Sequence, residues 1–198
     1  MNIQDKISAS DMVLVGIGEE FEGKENCLAA YDKLANLLEG KNYFIVSLCM
    51  DDSIYESKLD KDRIVKPLGT YTKKQCIDAC TDDLYDVNMD KCPKCGKELV
   101  YNNINAENYV EAGYLPMWEK HKLWISGTLN KHLLLLELGA NMRFPQIVRW
   151  PFERLGMLNN KAILFRVNEK FWQLPEDISG KAEAIKSNSI EWLMSLNC

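Results

Sequence analysis

At 198 residues, with a formal charge of -5 and a pI near 5.2, the chain lacks the basic face that displaces counterions from a nucleic-acid backbone. A composition 46% hydrophobic and 27% charged is ordinary for a globular protein, and apolar stretches such as Leu133 to Leu136 are far short of a membrane span. We therefore expect one domain over residues 1–198 with a small insert, and neither nucleic acid nor membrane as a partner.

The run Asp11 to Val15 reads as a buried strand opening into Gly16-Ile17-Gly18-Glu19-Glu20. Such a turn suits a phosphate cradle, in which glycine lets backbone N–H groups approach a diphosphate, and equally a plain strand-to-helix turn. The two glutamates make it less hospitable to phosphate. Leu28 to Leu38 has helical spacing, and Gly40 follows as a C-terminal stop. Tyr43 to Leu48 is a second buried strand, delivering Cys49, Met50 and Asp51 to its carboxyl end. No histidine motif surrounds Cys49, which is expected to be an inert buried thiol.

Pro67-Leu68-Gly69-Thr70-Tyr71 turns into Cys76-Ile77-Asp78-Ala79-Cys80, followed by Cys92-Pro93-Lys94-Cys95-Gly96. Thiolates two or three residues apart form a knuckle that reaches one Zn²⁺, and two knuckles close a tetrahedral Cys₄ site with no position left for water. Cys76, Cys80, Cys92 and Cys95 are thus expected to hold a structural zinc in a ribbon-like insert over residues 70–101. With no recognisable export signal, the seven cysteines point to a reducing cytosol and a cytoplasmic protein.

Leu99-Val100-Tyr101 is expected to pair within the zinc module, with loop from Asn102 to Gly113. Tyr114 to Lys131 reads as partly helical, Trp118 and Trp124 serving as core anchors. His132 to Leu138 is the strongest strand, followed by Gly139-Ala140-Asn141. A helix begins within Phe144 to Glu153, Lys161 to Asn168 forms another strand, and a closing helix is predicted from Gly180 to Leu196. This alternation predicts an α/β fold, a doubly wound and mostly parallel Rossmann-like sheet.

The order of glycine turn, strand ending in Asp51, Gly69-Thr70-Tyr71 before a Cys₄ insert, then Leu138-Gly139-Ala140-Asn141 and a strand ending in Asn168 resembles the sirtuins, NAD-dependent protein deacylases and ADP-ribosyltransferases. The stretches Tyr43 to Tyr71 and Leu136 to Glu153 look most like the macrodomain-linked microbial branch, associated with protein ADP-ribosylation. The resemblance implies that Gly16 and Gly18 open the NAD diphosphate loop and that Asp51 lies near the nicotinamide end. It places Gly139, Ala140 and Asn141 at phosphate or ribose, and Asn168 at the adenosine ribose.

Three departures qualify it. Leu68 stands where the family has its catalytic His, and Cys49 where it has an Asn. Leucine takes no proton, and a missing positioned base costs ~10²–10⁴ in rate. Fewer than thirty residues separate Gly18 from Ser47, where a full sirtuin carries its mobile cofactor loop, so one wall of the nicotinamide pocket is lost. The expectation is a sirtuin-like zinc protein with a reduced site that binds NAD or ADP-ribose weakly, without catalysis, and a protein as partner or substrate. The alternative is an active NAD-dependent ADP-ribosyltransferase or deacylase.

Overall fold

A computed structural model describes residues 2–196. Its centre is a six-stranded, wholly parallel sheet in the order β3-β2-β1-β7-β8-β9. The strands are β1 (Met12–Ile17), β2 (Asn42–Ser47), β3 (Ile64–Val65), β7 (Leu133–Leu138), β8 (Ile163–Val167) and β9 (Ala182–Ile185). Every residue of β1 and β7 is buried, as expected for central parallel strands covered on both faces.

Side-chain alternation divides the core in two. Val13, Val15 and Ile17 point to one face, under α1 (Ile3–Ala9), α2 (Cys27–Leu37) and α5 (Ser189–Ser195). Met12 and Leu14 point to the other, under α3 (Leu115–Ser126) and α4 (Arg149–Leu158). Of the stripe expected for α2 (Leu28, Tyr31, Leu34, Ala35 and Leu38), Tyr31, Leu34 and Leu38 are buried, while Leu28 is exposed and Cys27 and Ala30 take the inner face. Trp118 and Trp124 pack, half-buried, on the second face.

Between β3 and β7 the chain forms a second, antiparallel sheet in the order β5-β4-β6, from β4 (Gly69–Cys76), β5 (Tyr85–Asp86) and β6 (Leu99–Asn103). Gly69 takes φ +81° against the backbone of Asn102 and Asn103, a conformation and a closeness that exclude a side chain. The buried core of this sheet is only Cys76, Cys92 and Leu99. Gln75 ties it to the following loop, accepting from Val110 N at 2.8 Å and from Asn102 Nδ2 at 2.7 Å.

The C-terminal segment corrects the sequence expectation. Residues from Gly180 to Leu196 are not one helix: a 3-10 turn (Glu176–Lys181) leads into β9, and α5 begins only at Ser189. Main-chain pairing of Ala182–Ile185 with Leu164–Val167 outweighs the helical propensity of the Ala, Glu and Lys there. The helix expected to begin within Phe144 to Glu153 does so, at Arg149.

At β7 and β8, three buried charges, Glu137, Arg149 and Arg166, meet the half-buried Glu153. Arg166 Nη2 donates to Glu137 Oε2 at 2.8 Å and Glu153 Oε1 at 2.7 Å, and Arg149 Nη1 donates to Glu137 Oε1 at 3.2 Å. Burial pushes the Glu137 carboxyl above the usual carboxylate range, against the pull of Arg166 and Arg149.

Candidate functional site at the carboxyl edge of the sheet

The strand order reverses between β1 and β7, and open α/β sheets take ligands at the carboxyl ends beside such a reversal. Gly18 follows β1, its N–H donating to Leu138 O at 2.8 Å, and Gly139 follows β7, donating to Val167 O at 2.8 Å. Ala140, Asn141 and Asn168 stand beside them, since Asn168 Nδ2 donates to Ala140 O at 3.0 Å and to Asn141 Oδ1 at 3.4 Å. Asp51 lies beyond β2. The fold thus gathers Gly18, Asp51, Gly139, Ala140, Asn141 and Asn168 along one edge, while Gly16 sits within β1.

The need for glycine here comes from the chain's own packing. A Cβ on Gly18 would overlap the backbone of Gly139 and Ala140, and one on Gly16 would overlap Val148. Gly139, at φ +70°, would meet the Glu20 side chain and Ser189 Oγ, each at 2.6 Å.

Carboxylates fill the edge. Glu19 Oε2 accepts from Asn141 N at 2.9 Å, and Glu20 Oε1 accepts from Glu169 N at 2.9 Å. Glu20 Oε2 accepts from Ser189 N at 2.9 Å and Ser189 Oγ at 2.6 Å. Glu22 Oε1 accepts from Met50 N at 3.2 Å, and Asp51 Oδ2 from Gly23 N at 3.1 Å. Backbone N–H groups in general can bind a phosphate, and here carboxylates occupy them. Asn168 is likewise spent, its Oδ1 accepting from Lys170 N at 2.8 Å and Phe171 N at 2.7 Å. Glu19 Oε1 is buried without a partner among the described residues. It is an acceptor, which suits a hydroxyl and repels a phosphate. The edge therefore fits a ribose better than a diphosphate.

Arg143 and Arg149 are the cations nearest in sequence to the Gly139-Ala140-Asn141 turn, and each is committed. Arg143 Nη2 donates to Asn105 Oδ1 at 3.3 Å, while Arg149 Nη1 also donates to Ala140 O at 3.0 Å and Phe171 O at 2.9 Å.

Cys49 is buried with its thiol donating to Gly18 O at 3.4 Å, and desolvation together with the charge of Asp51 pushes it up to about 12. It is no nucleophile at neutral pH. Leu68 is also buried and forms part of the wall of a cavity of about 280 Å³ shared with Tyr109, Tyr114 and Phe144. Lys66, just before it, donates to Asp51 O at 2.6 Å and pairs with Asp52. Burial would raise the Asp52 carboxyl, but the bonds from Lys66, Thr72 and Thr70 hold it below the usual range.

Cys76, Cys80, Cys92 and Cys95 converge, their sulfurs all within 4.8 Å of one another. Cys76 and Cys95 lie 3.5 Å apart, and Cys80 and Cys92 3.6 Å. Tetrahedral bonds of about 2.3 Å put sulfurs about 3.8 Å apart, so the four could hold one metal ion. Backbone N–H groups donate into the cluster, that of Cys80 to Cys76 among them, and hold the Cys76 thiol below its ordinary value. Although desolvation opposes it, the N–H groups of Cys95 and Lys94 bring Cys92 down to about 6. Cys80, chiefly through the Cys95 sulfur beside it, and Cys95 are instead raised, so four thiolates this close need a cation to neutralise them.

The glutamates after Gly18 were visible in the sequence as charges, but not as hydrogen-bond acceptors. Glu22 and Ser189 gave no signal, because their partners are brought to them only by the sheet.

No protein-family model matches the chain. A protein ADP-ribosyltransferase of Staphylococcus aureus (strain Mu50 / ATCC 700699) is 26% identical over 75% of this chain and 54% of its own length. A probable bifunctional ADP-ribose hydrolase/ADP-ribosyltransferase of Fusarium oxysporum f. sp. cubense is 25% identical over 65% of this chain and 26% of its own length. The chain thus spans about half of the first curated relative and about a quarter of the second. Among solved structures, a mutant Sir2 homologue in complex with ADP-ribose superposes with a TM-score of 0.63 at 12% identity, covering 98% of this chain and 94% of that one. A second Sir2 homologue mutant, in complex with 2'-O-acetyl ADP-ribose, gives 0.65 at 11% identity with the same coverage. The chain therefore has the sirtuin fold, in a divergent, sirtuin-like form.

Proposed function

We propose that this chain is a sirtuin-like protein whose nucleotide site is reduced to weak recognition of ADP-ribose or NAD, with no NAD-cleaving chemistry of its own. The observation that carries this is the row of carboxylates, Glu19, Glu20, Glu22 and Asp51, bonded to the backbone donors at the carboxyl edge of the sheet. A diphosphate would have to displace them and then lie among their charges. One like charge at 4 Å costs about 4 kcal/mol at an effective dielectric constant near 20. Glu19 Oε1 remains as an acceptor for a ribose hydroxyl. The Cys₄ cluster would hold a structural Zn²⁺, and its role is to fix the small sheet, since four sulfurs leave no open position. A protein is the natural partner for such a scaffold.

Neutralising the carboxylates should uncover the site. The double variant Glu19→Gln, Glu20→Gln is expected to bind ADP-ribose about tenfold more tightly than the parent, about 1.4 kcal/mol, in a calorimetric titration. Unchanged or weaker binding by a folded variant would mean that these side chains do not guard the site.

The second reading, an active NAD-dependent ADP-ribosyltransferase or deacylase, is favoured by the names of the relatives. Leu68 distinguishes the two. Leu68→His restores a base to a site that still lacks the Asn at Cys49 and the cofactor loop, so orientation and water exclusion stay absent. With NAD and an acetyl-lysine peptide, neither the parent nor Leu68→His should release nicotinamide above background. Release by the parent would establish the second reading, and release by the variant alone would show a more complete pocket than proposed.

A further inference from the structure

The face of the sheet away from α2 carries a groove unrelated to the carboxyl edge. Trp118, His121 and Ile125 of α3, spaced by three and four, confront Pro151, Leu155 and Leu158 of α4 at the same spacing. The two stripes stand apart and enclose about 320 Å³, within the range of small-molecule sites. Leu14 and Phe152, each 1% exposed, make its floor.

One group in this apolar surround is out of place. Both ring nitrogens of His121 are buried and neither has a hydrogen-bond partner among the described residues. Phe44 and Trp118 pack beside the ring, with centroids 5.3 and 4.9 Å away, and offer it no polar atom. Burial lowers the imidazole to about 4, so at neutral pH it presents one N–H donor and one acceptor. The nitrogens lie below the accessible surface, so a ligand atom meets them only as the ring turns toward the groove, recovering the roughly 1–3 kcal/mol that a buried unpaired polar atom costs. Arg154 lines the same groove, is exposed, and has no ion-pair partner among the described residues. Lys122, also on the lining, is engaged by Glu119 at 2.6 Å. The free charge at the groove is thus a guanidinium, which matches a carboxylate in shape and sign.

We propose that the groove between α3 and α4 binds an apolar organic acid, its hydrocarbon body on Leu14 and Phe152 and its carboxylate accepting from the His121 ring and pairing with Arg154. The site is independent of the nucleotide reading, because it shares no residue with the carboxyl edge. Octanoate and octan-1-ol present the same chain with and without the charge, and amide NMR titrations of the full chain locate each. Octanoate should give saturable shifts centred on residues 118–125 and 151–158, and bind at least tenfold more tightly than octan-1-ol, about 1.4 kcal/mol. Arg154→Gln, at an exposed position that leaves the core intact, should remove most of that preference while leaving octan-1-ol unchanged. His121→Leu should weaken octanoate as well. Absence of saturable shifts at millimolar octanoate, shifts centred elsewhere, equal affinity for acid and alcohol, or an Arg154→Gln variant that keeps the preference would each overturn the proposal.

Discussion

Stripping the metal from Cys76, Cys80, Cys92 and Cys95 should unfold the three-stranded sheet and leave the six-stranded sheet folded. The small sheet buries only Cys76, Cys92 and Leu99 as its own core, with Cys80 and Tyr85 packed against it. Three short strands with so little apolar area do not hold together alone, and metal is the usual substitute. A structural zinc supplies about 10–16 kcal/mol of apparent binding free energy at neutral pH, far more than the stability of the module without it. The two larger clusters draw no residue from the small sheet, so they should survive. Protein purified without chelator should carry one equivalent of zinc. On chelation, hydrogen exchange should lose protection over residues 69–103 while β1, β7 and β8 keep theirs. Less than half an equivalent of zinc, or uniform protection after chelation, would refute the assignment.

Glu137→Ala should cost about 3–5 kcal/mol, the penalty for leaving buried guanidinium groups without their counter-charge. Arg166 would keep Glu153, whose side chain is 17% exposed, as its one carboxylate, and Arg149 would lose its carboxylate altogether. Against a total stability of about 5–15 kcal/mol, that loss threatens the fold. Glu153→Ala, which removes a partly solvated partner and leaves Glu137 in place, should cost clearly less. Urea unfolding of both variants gives the comparison, and equal losses would mean that the four charges do not act as a network centred on Glu137. Replacing Glu137 and Arg166 together by methionine should recover only part of the single-variant loss, because Arg149 stays buried without its carboxylate.

The parallel sheet was legible because its central strands are uninterrupted apolar runs: Val13 to Ile17 and Leu133 to Leu136 can only be buried on both faces. Glycine turns and polar residues after these runs placed the candidate site at their carboxyl ends, where the structure brings Gly18, Gly139, Ala140, Asn141 and Asn168 together. What escaped was short or long-range. The α1 helix has few residues and a polar surface, and β9 is a half-buried edge strand of helix-favouring residues held by main-chain pairing. The hydrogen bonds of Glu19 to Asn141 and of Glu20 to Glu169 and Ser189 span 122, 149 and 169 positions. Local sequence carries no trace of such partners, so the sequence could show charge near the glycines but not that it fills the donors.

The filled donors make a quantitative claim about ligands. On the proposed reading, with the adenosine side of the edge reduced to a few acceptors and the nicotinamide wall missing, the nicotinamide ring has little to contact. A ring that adds nothing to binding is not being aligned for cleavage. The most direct test is a pair of dissociation constants, NAD and ADP-ribose, measured calorimetrically on the same preparation in one buffer. Weak and closely similar values are the predicted result. NAD binding tenfold or more tighter than ADP-ribose, about 1.4 kcal/mol, would show a formed nicotinamide pocket and contradict the account.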